Sequence, residues 1–347
     1  DTTGGKGDGF SMQHPATGAS TDDSTSATPS ICYNITYDNC VAYNCAHDGF
    51  DLDGKQITLK SCVSHDNGWL DQPKHGLKFW NKDVKVLNCL VYNIPSPGVG
   101  VEIAGGKNVW IWNSAIFNCP SAAIRNGNGT VHVRNTIFDT NGAAYQSSYS
   151  LPTTSDYNLY YNTPMPAGEA GSISGDPQFI SKTTGNFTIA GSSPAVNKGT
   201  ARAVAAGVTD EFLNVPATDF NSNLRVGNPD MGAYEYGGIL PANISGTVTK
   251  SGTATALSGV LLEAMQGVTV VKSTLSVSYG KYALANLTPG VYDVRASKTG
   301  YVSLVMPGIA SGSGQSVTLN IAIVLIPLPV VKTVSPLIAF NNVQTTV

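Results

Sequence analysis

The sequence predicts an all-β protein: a right-handed parallel β-helix over about residues 1–236, followed by an antiparallel β-sandwich over 243–326. Three observations carry the first part. Five segments align without gaps: Ile35-Thr-Tyr-Asp-Asn-Cys40, Ile57-Thr-Leu-Lys-Ser-Cys62, Val84-Lys-Val-Leu-Asn-Cys89, Val109-Trp-Ile-Trp-Asn-Ser114 and Val131-His-Val-Arg-Asn-Thr136, starting 22, 27, 25 and 22 residues apart. Each alternates apolar and other residues with period two, the mark of a short strand, and each is followed by a second short apolar piece ending near Asn44, Asp66, Asn93, Asn118 or Thr140. A third strand recurs upstream of the next repeat, as Gly49-Phe-Asp-Leu52, Gly76-Leu-Lys-Phe79, Gly100-Val-Glu-Ile103 and Ala123-Ile-Arg-Asn126, with Gly9-Phe-Ser-Met12 as an earlier copy. Three strands per repeat and no helical period describe coils stacked ~4.8 Å apart.

Stacking turns equivalent positions into columns. Asn39, Asn88, Asn113 and Asn135 share one, where amides can bond from rung to rung. Cys40, Cys62 and Cys89 share a second, and Cys45 and Cys119 a third. Neighbouring rungs bring α-carbons to a disulfide-compatible separation. Stacked Cys inside a coil are more often small buried hydrophobes, so a ladder of free thiols is the favoured expectation.

Composition bounds the function. Charged residues make up 12% of the 347 residues, about half the usual share of ~25%. Polarity comes instead from 27 Asn, 37 Gly and many Ser and Thr, while 41% hydrophobic residues supply a large core. A net charge of -3 excludes a nucleic-acid binder driven by a basic field. The longest apolar run, near Ile321–Ile326, is too short to span a bilayer and is followed by Pro327 and Pro329. The six Cys lack the paired spacing of a zinc site. Low charge with abundant Asn, Thr and Gly favours an extracellular, secreted or cell-surface setting. Five N-x-S/T sequons, at Asn34, Asn128, Asn186, Asn243 and Asn286, are acceptors if the chain meets that machinery. The chain starts at Asp1 without Met or a leader, and the expectation is a mature form or a fragment.

In the third strand the flanking pairs Phe50/Leu52, Leu77/Phe79 and Val101/Ile103 must point inward. The residues between them therefore form an outward column: Ser11, Asp51, Lys78, Glu102, Arg125. A second column, Asp8, Asp48, His75, Val99 and Ala122, runs just before it. Asp8, Asp48 and Asp51 thus converge within two rungs, and three carboxylates that close repel unless a cation sits among them. An oxygen-only donor set of that kind suits Ca²⁺. Lys78, one rung above Asp51 and beside Lys74 and His75, would have its pKa pushed down by such a cation and by Lys74, as a general base requires. The plainer alternative is that Asp-Gly at 8/9 and 48/49 marks turns and that Lys over Asp is an exposed pair of little energy.

The stretch Gly7-Asp-Gly-Phe10, His47-Asp-Gly-Phe-Asp-Leu52 and His75-Gly-Leu-Lys-Phe79, with an N-C-x-x-x-N strand between, resembles the core of the family 9 polysaccharide lyases. Members carry A-D-G-F, D-D-G-x-D and N-G-F-K on successive coils. The resemblance covers roughly residues 5–95. It implies that Asp8, Asp48 and Asp51 are calcium ligands and that Lys78 is the Brønsted base taking the C5 proton of a uronate, with β-elimination expelling the C4 oxygen. His47 stands where the family has the first Asp of D-D-G-x-D, and residues 13–30 form a Ser/Thr/Asp-rich insertion beside the site.

After Tyr157-Asn-Leu-Tyr160, the segments Asp176-Pro-Gln-Phe179, Ser193-Pro-Ala-Val-Asn197 and Pro229-Asp-Met-Gly-Ala-Tyr-Glu235 resemble the closing region of secreted β-helix proteins, expected to cover the last rung. Residues 237–242 read as a linker. From Ile244, the elements Gly280-Lys-Tyr282, Leu287-Thr-Pro-Gly-Val-Tyr-Asp-Val294 and Gly300-Tyr301 resemble the carboxypeptidase regulatory-like sandwich, a spacer or accessory module. Residues 327–347 read as a linker and the start, at Val330–Pro336, of a further immunoglobulin-like domain, so that the chain is expected to be cut there and to lack an N-terminal cap. The functional expectation is a secreted, calcium-dependent lyase on an acidic polysaccharide such as pectate, with Lys74, His75 or Arg125 gripping substrate. The competing class is a non-catalytic surface, adhesive or filament-forming protein, with self-association or attachment through flanking domains.

Overall fold

A computed structural model of the chain describes residues 7–12, 32–69, 74–80, 83–105, 108–146, 149–201 and 215–327. The 13–30 insertion and the Val330–Pro336 strand lie outside them. The chain divides into two compact units, 1–241 and 242–347. Among the described residues there is no α-helix.

The first unit is a β-solenoid of three parallel sheets. Sheet 1 stacks Phe10–Met12, Phe50–Leu52, Leu77–Phe79, Val101–Ile103 and Ile124–Asn126. Sheet 2 stacks Cys32–Asp38, Gly54–Lys60, Val84–Leu87, Val109–Trp112, Val131–Arg134 and Thr154–Asp156. Sheet 3 runs from Val41–Tyr43 through Val63–His65, Leu90–Tyr92, Ala115–Phe117, Ile137–Asp139 and Leu159–Tyr161 to Ile173–Ser174. Strands neighbour one another in chain order, as successive coils must.

The residues that end each short strand make the corners. Asn39, Ser61, Asn88, Asn113 and Asn135 have φ between 46° and 54°, and Asn44, Asp66, Asn93, Asn118 and Thr140 between 52° and 55°. That left-handed region is open to few side chains, and Asn tolerates it best after Gly, which explains the Asn-rich repeat. All six Cys are free thiols. Cys62 and Cys89 are buried in the solenoid core among Phe50, Leu52, Leu77, Phe79, Val101 and Ile103.

A glycine opens the first four rungs of sheet 1, at Gly9, Gly49, Gly76 and Gly100, because the next rung approaches too closely for a side chain. A Cβ on Gly49 would lie 2.1 Å from Ser64 Oγ and 2.7 Å from the Gly76 carbonyl oxygen. Ser64 Oγ donates to that same carbonyl at 2.7 Å and accepts from Asn67 Nδ2 at 3.0 Å, so the space is filled by a satisfied buried network. Gly49→Ala is expected to cost about 3 kcal/mol, the upper end for an overpacked site, and a chemical denaturation curve checks it.

Sheet 3 departs from in/out alternation: Leu90, Val91 and Tyr92 are all buried, as are Ile137, Phe138 and Asp139. Its outer face is covered. Leu90, Tyr92, Ala115, Ile137 and Leu159 pack against Phe187, Ile189, Ala195, Met231 and Ala233. The closing region therefore lies along the side of the solenoid, a correction to the expectation that it covers the last rung. Its backbone is held by the Asn column: Asn88 Nδ2 donates to Thr218 O at 2.8 Å, Asn113 Nδ2 to Asp230 O at 3.1 Å and Asn135 Nδ2 to Thr200 O at 2.9 Å. A single rung-to-rung amide bond, Asn135 to Asn113 at 3.3 Å, remains of the expected ladder.

The second unit is a sandwich of two sheets whose pairs are mostly antiparallel. One sheet joins Ala242–Lys250 to Lys281–Leu287, with Ser316–Thr318 and Ile321–Ile323 parallel to the first strand. The other orders Thr269–Leu275, Leu261–Gln266, Gly290–Ser297 and Leu304–Ser311. Ile244, Val248, Leu262, Leu284, Val294 and Ile323 fill the space between them.

Candidate functional site

Sheet 1 builds the site by register. Ser11, Asp51, Lys78, Glu102 and Arg125 are successive partners across its strands, so the outward column is present as the alternation implied. The second column stands three residues earlier and is fixed beside the first by Gly9 N donating to Asp48 O and Gly49 N to His75 O.

In that second column each side chain caps the backbone of the next rung. Asp8 Oδ1 accepts from Asp48 N at 3.2 Å, Asp48 Oδ1 from His75 N at 2.6 Å, and His75 Nδ1 from Val99 N at 3.1 Å. These bonds orient the carboxylates toward one another: Asp8, Asp48 and Asp51 each offer an oxygen within 4.8 Å of the others. Asp8 Oδ2 is buried and has no hydrogen-bond partner. An orphaned carboxylate oxygen in an all-oxygen cluster fits a hard divalent cation such as Ca²⁺, because such a group is costly to bury without a counter-charge. His47, in place of the family's Asp, sits with Nδ1 3.9 Å from Asp8 Oδ1, outside hydrogen-bond length.

Lys78 points into the carboxylates. Its Nζ lies 3.1 Å from Asp48 Oδ2 and 3.3 Å from Asp51 Oδ2, and 4.7 Å above the ring of Trp80. Burial works against the ammonium, but the two carboxylates outweigh it and hold Lys78 above the ordinary lysine range. The expected lowering was conditional on a bound cation and on Lys74; these direct ion pairs act in the opposite direction. Asp48 is itself raised by burial, against the opposing pull of Lys78. Asp51 Oδ1 is taken by Trp80 Nε1 at 2.7 Å.

His75 is 3% exposed, and its Nδ1 holds the backbone of the next rung. Burial, with Arg125, Lys78 and Lys74 nearby, lowers its pKa to about 3 and keeps the imidazole neutral. A neutral ring has one N–H. With Nδ1 accepting from Val99, that proton sits on Nε2 and meets Arg125 Nη2 donor to donor at 3.0 Å. Arg125 is drawn the other way, by an ion pair with Glu102 and by the Tyr149 ring 5.4 Å from its guanidinium carbon. Glu102 is raised by burial, against the opposing effect of Arg125. Lys74, half-buried, immediately precedes His75. The structure thus gathers Asp8, Asp48, Asp51 and Lys78 into one cluster and sets Arg125 and His75 against it. Sequence reasoning missed Trp80 and Tyr149; Trp80 was within reach, since it stands two residues after Lys78 on the same outward side.

Residues 243–324 match the model of the carboxypeptidase regulatory-like domain. Among solved structures, the chain is similar to pectate lyase Pel9A, a family 9 polysaccharide lyase, with a TM-score of 0.36 and 14% identity over 58% of this chain and 66% of that one. It is also similar to a type II cohesin–X-dockerin complex of Acetivibrio cellulolyticus (TM-score 0.21, 18% identity, 23% of this chain and 56% of that). A third is GBS52, a minor pilin of Streptococcus agalactiae (TM-score 0.22, 17% identity, 28% and 50%). The chain spans less than two thirds of the length of each. No curated protein matches it. No helix among the described residues is long and apolar enough to cross a membrane.

Proposed function

We propose that this protein is an extracellular, calcium-dependent lyase acting by β-elimination on a uronate-containing polysaccharide. The observation that carries the proposal is the Asp8–Asp48–Asp51 cluster with a buried, unpartnered oxygen and Lys78 against it. Asp8, Asp48 and Asp51 would hold the cation, which when bound neutralises a uronate carboxylate and so acidifies the C–H beside it.

In this reading Lys78 removes the C5 proton through Nζ, and the electron pair left on C5 forms the C4–C5 double bond as the C4–oxygen bond breaks. Lys78 can do so only when Asp48 and Asp51 are engaged elsewhere, since the two ion pairs favour the protonated amine. Trp80, 45% exposed, lies beside Lys78 as a flat apolar surface for a sugar ring. Arg125, with a donor turned against His75 Nε2, gains by exchanging that contact for a second uronate carboxylate.

The test is incubation of the full chain with polygalacturonate and other uronans plus Ca²⁺, following the ultraviolet absorbance of the conjugated product. Absorbance that rises with Ca²⁺ and stops on chelation is the expected result; no rise on any uronan overturns the proposal. One observation favours a second reading, a non-catalytic surface protein: Lys78 neutralises Asp48 and Asp51 without any cation, as a structural ion pair would.

A further inference from the structure

A groove of about 430 Å³ lies on a different sheet from the carboxylate cluster, between sheet 3 and the hairpin tip Lys182–Gly185. Three successive rungs contribute to its wall in the same way, each with a ring followed by a side-chain amide or carboxylate: His65-Asp66, Tyr92-Asn93 and Phe117-Asn118. The second member of each pair is a left-handed corner residue, with φ of 52°, 55° and 53°, so the three polar groups project alike at the rung spacing of ~4.8 Å. His65 and Tyr92 stack ring on ring, centroids 4.6 Å apart and 7° from parallel, which turns their edges toward the groove. The hairpin closes over Tyr92 because Gly185 has no side chain: at φ 72° a Cβ would lie 2.9 Å from the Tyr92 hydroxyl.

The wall's chemistry selects an occupant. Its cation, Lys182, is held 2.5 Å from Asp139 Oδ2 and within 6.0 Å of the Phe117, Tyr161 and Phe179 rings. His65 Nδ1 is 2.5 Å from Asp66 Oδ2. Lys182 already has its counter-charge and Asp66 adds a carboxylate to the wall, so a polyanion gains little here. The wall strands are paired on both sides, which leaves no edge for an added peptide strand. What remains is apolar ring edge alternating with side-chain amide, Asn118 Nδ2 donating to Asn93 Oδ1 at 2.8 Å and leaving donors and acceptors to spare. We propose that this groove binds neutral, hydroxyl-rich saccharide units laid along the rungs, each sugar meeting one ring and one side-chain amide or carboxylate. The site is separate from the proposed elimination site and does not depend on it.

Calorimetric titration of the full chain with oligosaccharides of glucose, xylose and mannose, and with an oligogalacturonate as the charged control, tests this without calcium. At least one neutral oligomer is expected to bind. Thr184→Trp, on the exposed hairpin tip, fills the groove and is expected to weaken that binding about tenfold or more. Tyr92→Phe, which keeps the packing and removes only the hydroxyl, is expected to weaken it in the same direction. The proposal is overturned if no neutral oligomer binds, if both groove variants bind like wild type with unchanged melting, or if the oligogalacturonate binds more tightly than every neutral oligomer.

Discussion

Replacing Lys78 by Ala is expected to abolish elimination, lowering turnover by about 10²- to 10⁴-fold, the range a positioned general base supplies. The ion pairs add a second effect. Removing the ammonium leaves Asp48 and Asp51, 3% and 9% exposed, without their counter-charge, so the variant should also lose about 2 kcal/mol of stability in the absence of calcium. A cation in the cluster restores the charge balance, and Ca²⁺ should recover the stability but not the turnover. Lys78→Arg separates charge from proton transfer, since a guanidinium keeps the ion pairs and does not release its proton near neutral pH. Its expected phenotype is near-normal melting with no turnover. Substantial elimination by the Arg variant would remove Lys78 as the base.

The second large effect concerns the metal. Ca²⁺ at a hundredfold excess over its Kd should stabilise the protein by about 2.7 kcal/mol, read as a rise in Tm that chelation reverses. Asp8→Asn is the informative variant. The amide oxygen can still accept from Asp48 N, so the rung stays capped, but the buried orphan oxygen no longer carries charge. Stability without calcium is expected to hold and the calcium-induced rise to disappear. An Asn variant that responds to Ca²⁺ like wild type would place the ion elsewhere.

The solenoid was legible because period two and the corner residues reinforce each other. Once Phe50/Leu52 and Leu77/Phe79 are set inward, Asp51 and Lys78 have no other side to occupy, and the gapless repeats fix which residues are neighbours. Sequence could not give the direction of long side chains. Lys78 reaches back a full rung to Asp48, and that choice depends on burial and on the Trp80 indole rather than on spacing. For the same reason the two ion pairs, which act against a lowered Lys78 pKa, could not be read from spacing. The position of the closing region was also hidden: its docking is set by Asn88, Asn113 and Asn135, whose amides could equally have bonded to one another.

That docking changes how the solenoid can fail and how it can vary. A stack whose rungs touch only their neighbours melts progressively from its ends and tolerates gain or loss of whole coils. Here one returning strap is fastened to three consecutive coils and shares an apolar layer with four strands of sheet 3. Opening any one of those coils strips the strap from the others, so the region from Asn88 to Leu159 should behave as one cooperative block, with amide exchange collapsing to a single high protection level. Coil number is fixed by the same fastening: an inserted or deleted coil between Asn88 and Asn135 would move the three anchors out of step with Thr218, Asp230 and Thr200, while coils before Asn88 can change without disturbing them.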